Sequence, residues 1–221
     1  MSVRLPAGLR AAMVDLDGTM VDTMGDFDVA LNAMLADLRL PPVRRDFIEA
    51  TVGKGSEHLI RQLLAHVGAP PSRFDEAWAR YTHHYLAVNG EHSTVYPGVV
   101  EGLQKLADAG LALACLTNKP SAFAVPLLQR KGLSRFFRHV FGGEAFARKK
   151  PDPLPLVKTC EALGVPPPAA LMIGDSSNDA AAARAAGCPV VLVSYGYNHG
   201  QPVREVPADG YLDRLDALEL G

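Results

Sequence analysis

The sequence predicts an α/β fold in which a parallel sheet is interrupted, directly after its first strand, by a helical insert. Two observations lead to this prediction. Short apolar runs alternate with helical patterns from residue 96 to about 194, as in repeated strand–helix units. Residues from about 23 to 92 break that alternation and carry apolar residues at helical spacing. We therefore predict a core domain of residues 1–22 and 93–221 and a cap domain of residues 23–92.

The first predicted strand covers residues 9–14 and ends in an acidic turn, where Gly18 permits the backbone to reverse. Asp15 and Asp17 are two residues apart, so both carboxylates lie on one face if the chain stays extended. Two carboxylates this close repel each other and need a cation or a shared proton. Mg²⁺ is the natural cation for an all-oxygen site. An ordinary strand-to-loop exit is the alternative explanation, since Asp and Gly are common there.

The insert contains three predicted helices with a glycine-flanked lysine between the first two. The helices cover residues 27–35, 58–64 and 74–86. Gly53 and Gly55 flank Lys54, and Ser56 is predicted to be the N-cap of the helix that follows. The glycines would let backbone N–H groups approach a small anion, to which Lys54 adds positive charge. Helix initiation alone is the competing explanation of these four residues.

After the insert, strands and helices alternate again. Strands are predicted at residues 111–116, 139–143, 170–174 and 189–194. Helices are predicted at residues 99–109, from Pro120 onwards, at 153–163 and at 178–186. Polar side chains come just after four of the five predicted strands, namely Asp15 and Asp17, then Thr117 and Asn118, then Lys150, then Asp175 and Asp179. Because ligands bind outside the carboxyl ends of parallel strands, these side chains are expected to converge.

Taken in order, these residues form four motifs that resemble those of the haloacid-dehalogenase-like superfamily of phosphotransferases. The motifs are Asp15-x-Asp17-Gly18-Thr19, Thr117-Asn118, Lys150-Pro151-x-Pro153 and Gly174-Asp175-Ser176-x-Asn178-Asp179. The resemblance covers about residues 10–200 and implies a Rossmann-like core. Three further segments are similar to bacterial phosphatases that hydrolyse 2-phosphoglycolate to glycolate and phosphate, namely residues 52–55, 149–153 and 195–200.

The resemblance implies a role for each motif residue in a Mg²⁺-dependent phosphatase. Asp15 would be the nucleophile that forms an aspartyl-phosphate, and Asp17 the general acid and base. Asp15, Asp175 and the backbone carbonyl of Asp17 would bind Mg²⁺, while Asp179 would orient metal-bound water or Lys150. Phosphate oxygens would be bound by Thr117, Asn118 and Lys150. Gly53, Lys54 and Gly55 would bind the carboxylate of the substrate.

Three other functions fit the same motifs. The first is a phosphatase for another small phosphate, such as a sugar phosphate or pyrophosphate. The second is a sugar-phosphate mutase, which shares the paired aspartates but keeps its intermediate for a second transfer. The third is a non-catalytic binding protein of the same fold. Asp17 argues against the third, because a protein that only binds needs no general acid.

The amino-acid composition limits the classes of binding partner to expect. Hydrophobic residues make up 48% of the chain, charged residues 21%, and the formal net charge is −2. This balance gives no electrostatic reason to expect nucleic acid or a membrane surface as a partner, so a small phosphorylated metabolite is expected. Cys115, Cys160 and Cys188 are far apart in sequence and show no metal-ligand spacing, which predicts a reducing, cytoplasmic environment. We find no signal peptide or membrane span, and we expect a monomer or a homodimer.

Overall fold

The computed structural model describes residues 3–4 and 7–219. Its strands are β1 (Val3–Arg4), β2 (Ala11–Val14), β3 (Val21–Asp22), β4 (Thr94–Val95), β5 (Ala112–Leu116), β6 (His139–Phe141), β7 (Ala170–Gly174), β8 (Val190–Val193), β9 (Gly210–Leu212) and β10 (Leu218–Glu219). Its α-helices are α1 (Met24–Asp37), α2 (Arg45–Thr51), α3 (Ser56–His66), α4 (Phe74–Val88), α5 (Val99–Asp108), α6 (Ser121–Arg130), α7 (Leu154–Leu163) and α8 (Ser177–Ala186). Among the described residues no helix is both long enough and apolar enough to cross a bilayer.

Six strands form one parallel sheet in the order β6-β5-β2-β7-β8-β9, which confirms the predicted fold class. Strand β2 is apolar and buried along its whole length, as a central strand covered on both faces must be. From β2 the chain builds outward through β5 to β6 and then crosses to β7 on the other side. The carboxyl end of β2 is therefore the switch point at which sheets of this kind open a ligand crevice.

Alternate residues of the strands face two separate cores. Ala12 and Val14 pack with apolar side chains of α5 and α6 on one face of the sheet. Ala11 and Met13 pack with α7 and α8 on the other face. Burial on both faces fixes the register of β2, and so it fixes where its first polar residue, Asp15, leaves the sheet.

The insert is helical, as predicted, and leaves the core through a short antiparallel ribbon. Helices α1 to α4 lie between β3 and β4, which pair with each other. These helices form a hydrophobic cluster of their own, against which Phe123 and Tyr197 of the core also pack. The ribbon lies close to the predicted domain boundaries, although the division into residues 1–22, 23–92 and 93–221 stays a prediction.

Three local features differ from the sequence-based expectations. Helix α2 and strand β9 were not predicted. The N-cap assignment of Ser56 is wrong, because Ser56 already lies within α3 and Gly55 takes the N-cap position with φ of 90°. The reason is the tight approach of the loop to the core, where a Cβ on Gly55 would lie 3.1 Å from the backbone oxygen of Asn118.

Candidate active site

Asp15 lies directly after β2, beside a buried lysine that it shares with Asp179. The ammonium of Lys150 is 3.1 Å from Asp15 Oδ1 and 2.7 Å from Asp179 Oδ1. It also donates to the backbone oxygen of Leu116 at 2.8 Å. Carboxylate oxygens of Asp15, Asp175 and Asp179 lie within 4.8 Å of one another. Groups that follow β2, β6 and β7 therefore meet at the switch point, and those that follow β5 line the same cavity as Asp15.

Burial and mutual repulsion shift the titration of this cluster. Burial raises the pKa of Asp15 from 3.8 to about 6, Lys150 opposes this, and Asp179 adds to it. The pKa of Asp175 is raised well above its usual value, first by burial and then by Asp179 and Asp15. Burial works against the charge on Lys150, yet Asp15 and Asp179 together raise its pKa. Lys150 pairs with two of these three carboxyl groups, Asp15 and Asp179, so the cluster has more acidic groups than basic ones.

Backbone and hydroxyl donors hold the two acids that follow β7. Asp179 Oδ2 accepts hydrogen bonds from the backbone N–H groups of Asp175 and Ser176 at 3.2 and 3.1 Å and from the Ser176 hydroxyl at 2.8 Å. These contacts belong to the capping box that starts α8. Asp175 accepts from the Thr19 hydroxyl at 3.1 Å and from the backbone N–H of Tyr197 at 2.8 Å. Asp179 is thus engaged by donors on both oxygens, which suits an orienting role.

Gly18 makes the turn that follows Asp15 and Asp17 feasible. Its φ is +82°, and a Cβ there would lie 2.3 Å from Asp175 Oδ2. Any side chain would therefore combine backbone strain with a collision against Asp175.

Asp17 lies apart from the first cluster and has a different lysine. Lys119 Nζ is 3.0 and 3.2 Å from the two Asp17 oxygens and 2.5 Å from the hydroxyl of Tyr85 in the cap. The Thr23 hydroxyl also donates to Asp17, at 2.8 Å. Lys119 was not among the predicted site residues. The sequence signal for Lys119 is its position directly after Thr117-Asn118, which is equally typical of an ordinary helix start.

The predicted phosphate ligands of β5 line a cavity together with both acids. Thr117 and Asn118 are buried, and both border this cavity beside Asp15 and Asp17. The Asn118 side chain is occupied by backbone groups: its Nδ2 donates to Lys150 O at 2.8 Å and Gly53 O at 2.9 Å, and its Oδ1 accepts from Lys150 N at 3.0 Å. Asn118 thus connects two strand ends to the cap, and its contact with phosphate stays a prediction.

The cap loop closes the cavity but places its lysine elsewhere. Gly53 and Gly55 line the cavity, whose empty volume is about 330 Å³, with Ser56 and Phe27. Lys54 instead lines a neighbouring, wider cleft at the outer edge, with Arg61 of the cap among the other residues. The three predicted cap residues are therefore divided between two sides of the loop.

The segment after β8 supports both the acids and the cap. The Tyr197 hydroxyl donates to Asp22 at 2.7 Å and accepts from the backbone N–H of Thr23 at 2.8 Å, at the point where the cap begins. Asn178 Nδ2 lies 3.3 Å from Gly53 O and 3.1 Å from a ring nitrogen of His199. In the sequence, residues 195–200 stand out only by their resemblance to bacterial phosphatases. The structure shows which residues they contact.

Comparison with known sequences places this site in a known family. The sequence model of the haloacid dehalogenase-like hydrolases matches residues 12–193. A phosphoglycolate phosphatase from Thiobacillus denitrificans is 42% identical over 218 residues, which are 97% of this chain and 96% of that protein. A second phosphoglycolate phosphatase, from Cupriavidus necator, is 42% identical over 98% of this chain and 94% of its own.

Solved structures agree on the fold. A predicted phosphoglycolate phosphatase from Haemophilus somnus superposes with a TM-score of 0.90 at 30% identity, covering 95% of this chain and 96% of that one. The CbbY protein of Rhodobacter sphaeroides, solved in complex with phosphate, has a TM-score of 0.81 at 24% identity over 94% of this chain and 95% of its own. The latter likeness concerns the fold alone.

Proposed function

Given that the chain belongs to the haloacid dehalogenase-like hydrolase family, we propose that it is a Mg²⁺-dependent phosphatase that converts 2-phosphoglycolate to glycolate and phosphate. The chain is a phosphoric monoester hydrolase by its family and by its 42% identical phosphatase relatives. The observation that carries the finer proposal is the division of labour between two neighbouring acids. Asp15 faces Lys150 and the acidic cluster, whereas Asp17 faces Lys119 and the cap.

The acidic cluster fits a bound Mg²⁺. Asp15 Oδ1 is buried without a well-directed hydrogen bond, although Lys150 lies nearby. Carboxylate oxygens of Asp15, Asp175 and Asp179 lie within 4.8 Å of one another, and oxygen donors are the ligands that Mg²⁺ prefers. Asp15, Asp175 and the backbone carbonyl of Asp17 would hold the ion. When bound, it would neutralise the nucleophile and the phosphoryl oxygens and stabilise the charge that develops between them.

In the first step Asp15 attacks phosphorus. A bond forms between an Asp15 carboxylate oxygen and phosphorus while the bond from phosphorus to the glycolate oxygen breaks. Asp17 gives its proton to that glycolate oxygen, so the leaving group departs as an alcohol. Lys150 stays beside Asp15 and supplies positive charge to the transferring group.

In the second step water replaces the enzyme on phosphorus. Asp17, now a carboxylate, takes a proton from water as the water oxygen attacks. The bond between phosphorus and Asp15 breaks, which releases phosphate and restores the nucleophile. The cap loop at Gly53 and Gly55 covers the cavity and excludes other water from the intermediate.

The small cavity and the named relatives together favour a small substrate. The cap residues Gly53 and Gly55 border the space beside Asp15 and Asp17. We infer a cytoplasmic enzyme, because Cys115, Cys160 and Cys188 are buried free thiols. A monomer or a homodimer stays the expectation. Another small phosphate, or a sugar-phosphate mutase activity, remains the alternative on the same residues.

The test is phosphate release by the purified chain from 2-phosphoglycolate, glucose 6-phosphate and pyrophosphate, each with Mg²⁺ and with excess chelator. We expect 2-phosphoglycolate to have the highest kcat/KM and chelator to remove activity. Conversion of β-glucose 1-phosphate to glucose 6-phosphate, measured in parallel, would identify a mutase. Turnover that is equal with and without chelator would contradict the metal assignment.

A further inference from the structure

Lys119 has an unusual environment for a lysine. Its side chain is only 1% exposed, and its ammonium pairs with Asp17 at 3.0 Å. The ammonium also lies over the rings of Phe27 and Tyr85, 4.6 and 4.5 Å from their centroids. Both rings belong to the cap, whereas Lys119 follows β5 of the core. A core cation is thus surrounded by cap aromatics at the contact between the two parts.

The Lys119 ammonium can serve a second anion. A lysine ammonium carries three N–H donors, and among the described residues it bonds to the Asp17 carboxylate and the Tyr85 hydroxyl. An anion in the adjoining cavity would share this ammonium with Asp17.

The cavity offers room for such an anion beside Lys119. Among the residues that line it, Lys119 is the one cationic side chain, since Lys150 lies behind Asp15 and Lys54 borders the outer cleft. Helix α3, of 11 residues, begins at this cavity with Gly55 and Ser56 and has no side-chain cap. The first N–H groups of a helix favour an anion. Lys119 and the start of α3 therefore face the same space from the core and from the cap.

We propose that Lys119 binds the carboxylate of the substrate from the core side of the cavity. This inference rests on the proposed function, because it requires a substrate with a carboxylate next to its phosphate ester. A substrate without that group lacks this contact and binds more weakly.

The experiment compares two phosphonates that cannot be hydrolysed. One is 3-phosphonopropionate, which has the chain length and carboxylate of 2-phosphoglycolate with carbon in place of the ester oxygen. The other is propylphosphonate, which lacks the carboxylate. Dissociation constants are measured by calorimetry, with Mg²⁺ present, for the wild-type chain and for Lys119→Met, Lys119→Gln and Lys54→Met. Each variant gives a ratio of two constants, so a general loss of phosphonate affinity cancels.

We expect wild type to bind 3-phosphonopropionate about 10- to 100-fold more tightly than propylphosphonate, the scale of one charged hydrogen bond. Both Lys119 variants should bring this ratio close to one, and Lys54→Met should keep it. Lys119→Gln retains a polar group for Asp17 and Tyr85, so it serves if Lys119→Met does not fold. Retention of the wild-type ratio in the Lys119 variants would overturn the inference, as would its loss in Lys54→Met alone.

Turnover separates this inference from the proposed function. The kcat/KM for 2-phosphoglycolate and for ethyl phosphate, its analogue without the carboxylate, is compared in wild type and Lys119→Gln. We expect wild type to favour 2-phosphoglycolate in kcat/KM and the variant to lose that preference. If wild type hydrolyses 2-phosphoglycolate well and Lys119→Gln keeps the preference, only the Lys119 inference fails. If wild type shows no preference in either assay, the proposed substrate fails with it.

Discussion

The core half and the cap half of the site hold their acids in different ways. In the core, carboxylate oxygens of Asp15, Asp175 and Asp179 lie within 4.8 Å of one another, and Asp15 and Asp179 share Lys150. On the cap side, Asp17 is held by Lys119, whose remaining partners are aromatic rings of α1 and α4. The site thus combines acids that are arranged at the strand ends of the core with an acid whose lysine partner is enclosed by the cap.

Asp15→Asn should reduce turnover more than any other substitution in the core half of the site. Replacing the nucleophile removes the covalent route, so we expect kcat to fall at least about 1000-fold. The substitution keeps the shape of the side chain, and the protein should still fold. Phosphate release from 2-phosphoglycolate measures the loss, and circular dichroism of the same sample serves as the control. A folded variant with more than a tenth of wild-type kcat would contradict the assignment of Asp15.

Lys150→Met tests whether the core half depends on its one lysine. Removing the buried ammonium takes the ion-pair partner from Asp15 and Asp179, and we expect the free energy of unfolding to fall by about 3 kcal/mol. Lys149→Met is the matched control, because this adjacent lysine is partly exposed and its pairing with Glu57 is long, at 3.7 Å. The control should change stability by less than about 0.5 kcal/mol. Urea denaturation measures both, and equal losses would mean that burial of Lys150 is not what matters.

Mg²⁺ should stabilise the core half in a pH-dependent way. Because burial raises the pKa of Asp15 to about 6, the metal-free folded state holds a proton that the unfolded state has released between about pH 4 and 6. Metal-free stability therefore falls as the pH rises through that window, and the cost is fully present above pH 6. A saturating cation would offset it by about 2.7 kcal/mol at 100 times its Kd. We expect the rise of Tm with Mg²⁺ to be larger at pH 8 than at pH 5.

The control for this prediction is Asp175→Asn, which removes one proposed metal ligand from the cluster. Its Tm should respond little to Mg²⁺ at either pH. A wild-type Tm shift that is the same at pH 5 and pH 8 would contradict the link between these carboxylates and the metal.

Asn178→Ala tests the cap half, where we expect a smaller effect, on KM. Asn178 Nδ2 lies 3.3 Å from Gly53 O, so its loss should weaken closure of the cap loop. The expected rise in KM for 2-phosphoglycolate is about 2- to 10-fold, the scale of one neutral hydrogen bond. Asn32→Ala is the control, because Asn32 bonds to Asp28 and Val43 within the cap. An equal KM change in both variants would mean that general loosening of the cap, and not the contact with Gly53, sets substrate binding.

The contrast between the core half and the cap half also explains which parts of the site could be predicted from the sequence. The parallel sheet and the meeting of Asp15, Lys150, Asp175 and Asp179 follow from polar residues at strand ends, because parallel strands all end at one edge. Lys119 also lies just past a strand end, but its local sequence does not distinguish it from an ordinary helix start. Its partners Asp17 and Tyr85 are 102 and 34 residues away. Tyr85 comes from a cap helix, so only the packing of the cap on the core reveals the buried environment of this lysine.

Short elements outside the repeating pattern were also beyond prediction. Helix α2 has seven residues, with Ile48 as its one buried residue, and therefore lacks a clear apolar stripe. Strand β9 has three residues and is defined by its pairing with β8. Position alone did not show that Lys54 lines a different cleft from Gly53 and Gly55, because the direction of a loop side chain depends on backbone angles such as the φ of +110° at Gly53.

The most direct test of the account is to find where phosphorus becomes attached during turnover. Wild-type chain with Mg²⁺ and 2-phosphoglycolate is quenched in acid within milliseconds, reduced with borohydride, digested and examined by mass spectrometry. Reduction converts an aspartyl-phosphate to homoserine, so we predict homoserine at position 15, unmodified Asp17, and no conversion in Asp15→Asn. Conversion at another acid, or full turnover with no conversion at Asp15, would contradict the central claim that Asp15 is the nucleophile and Asp17 its acid.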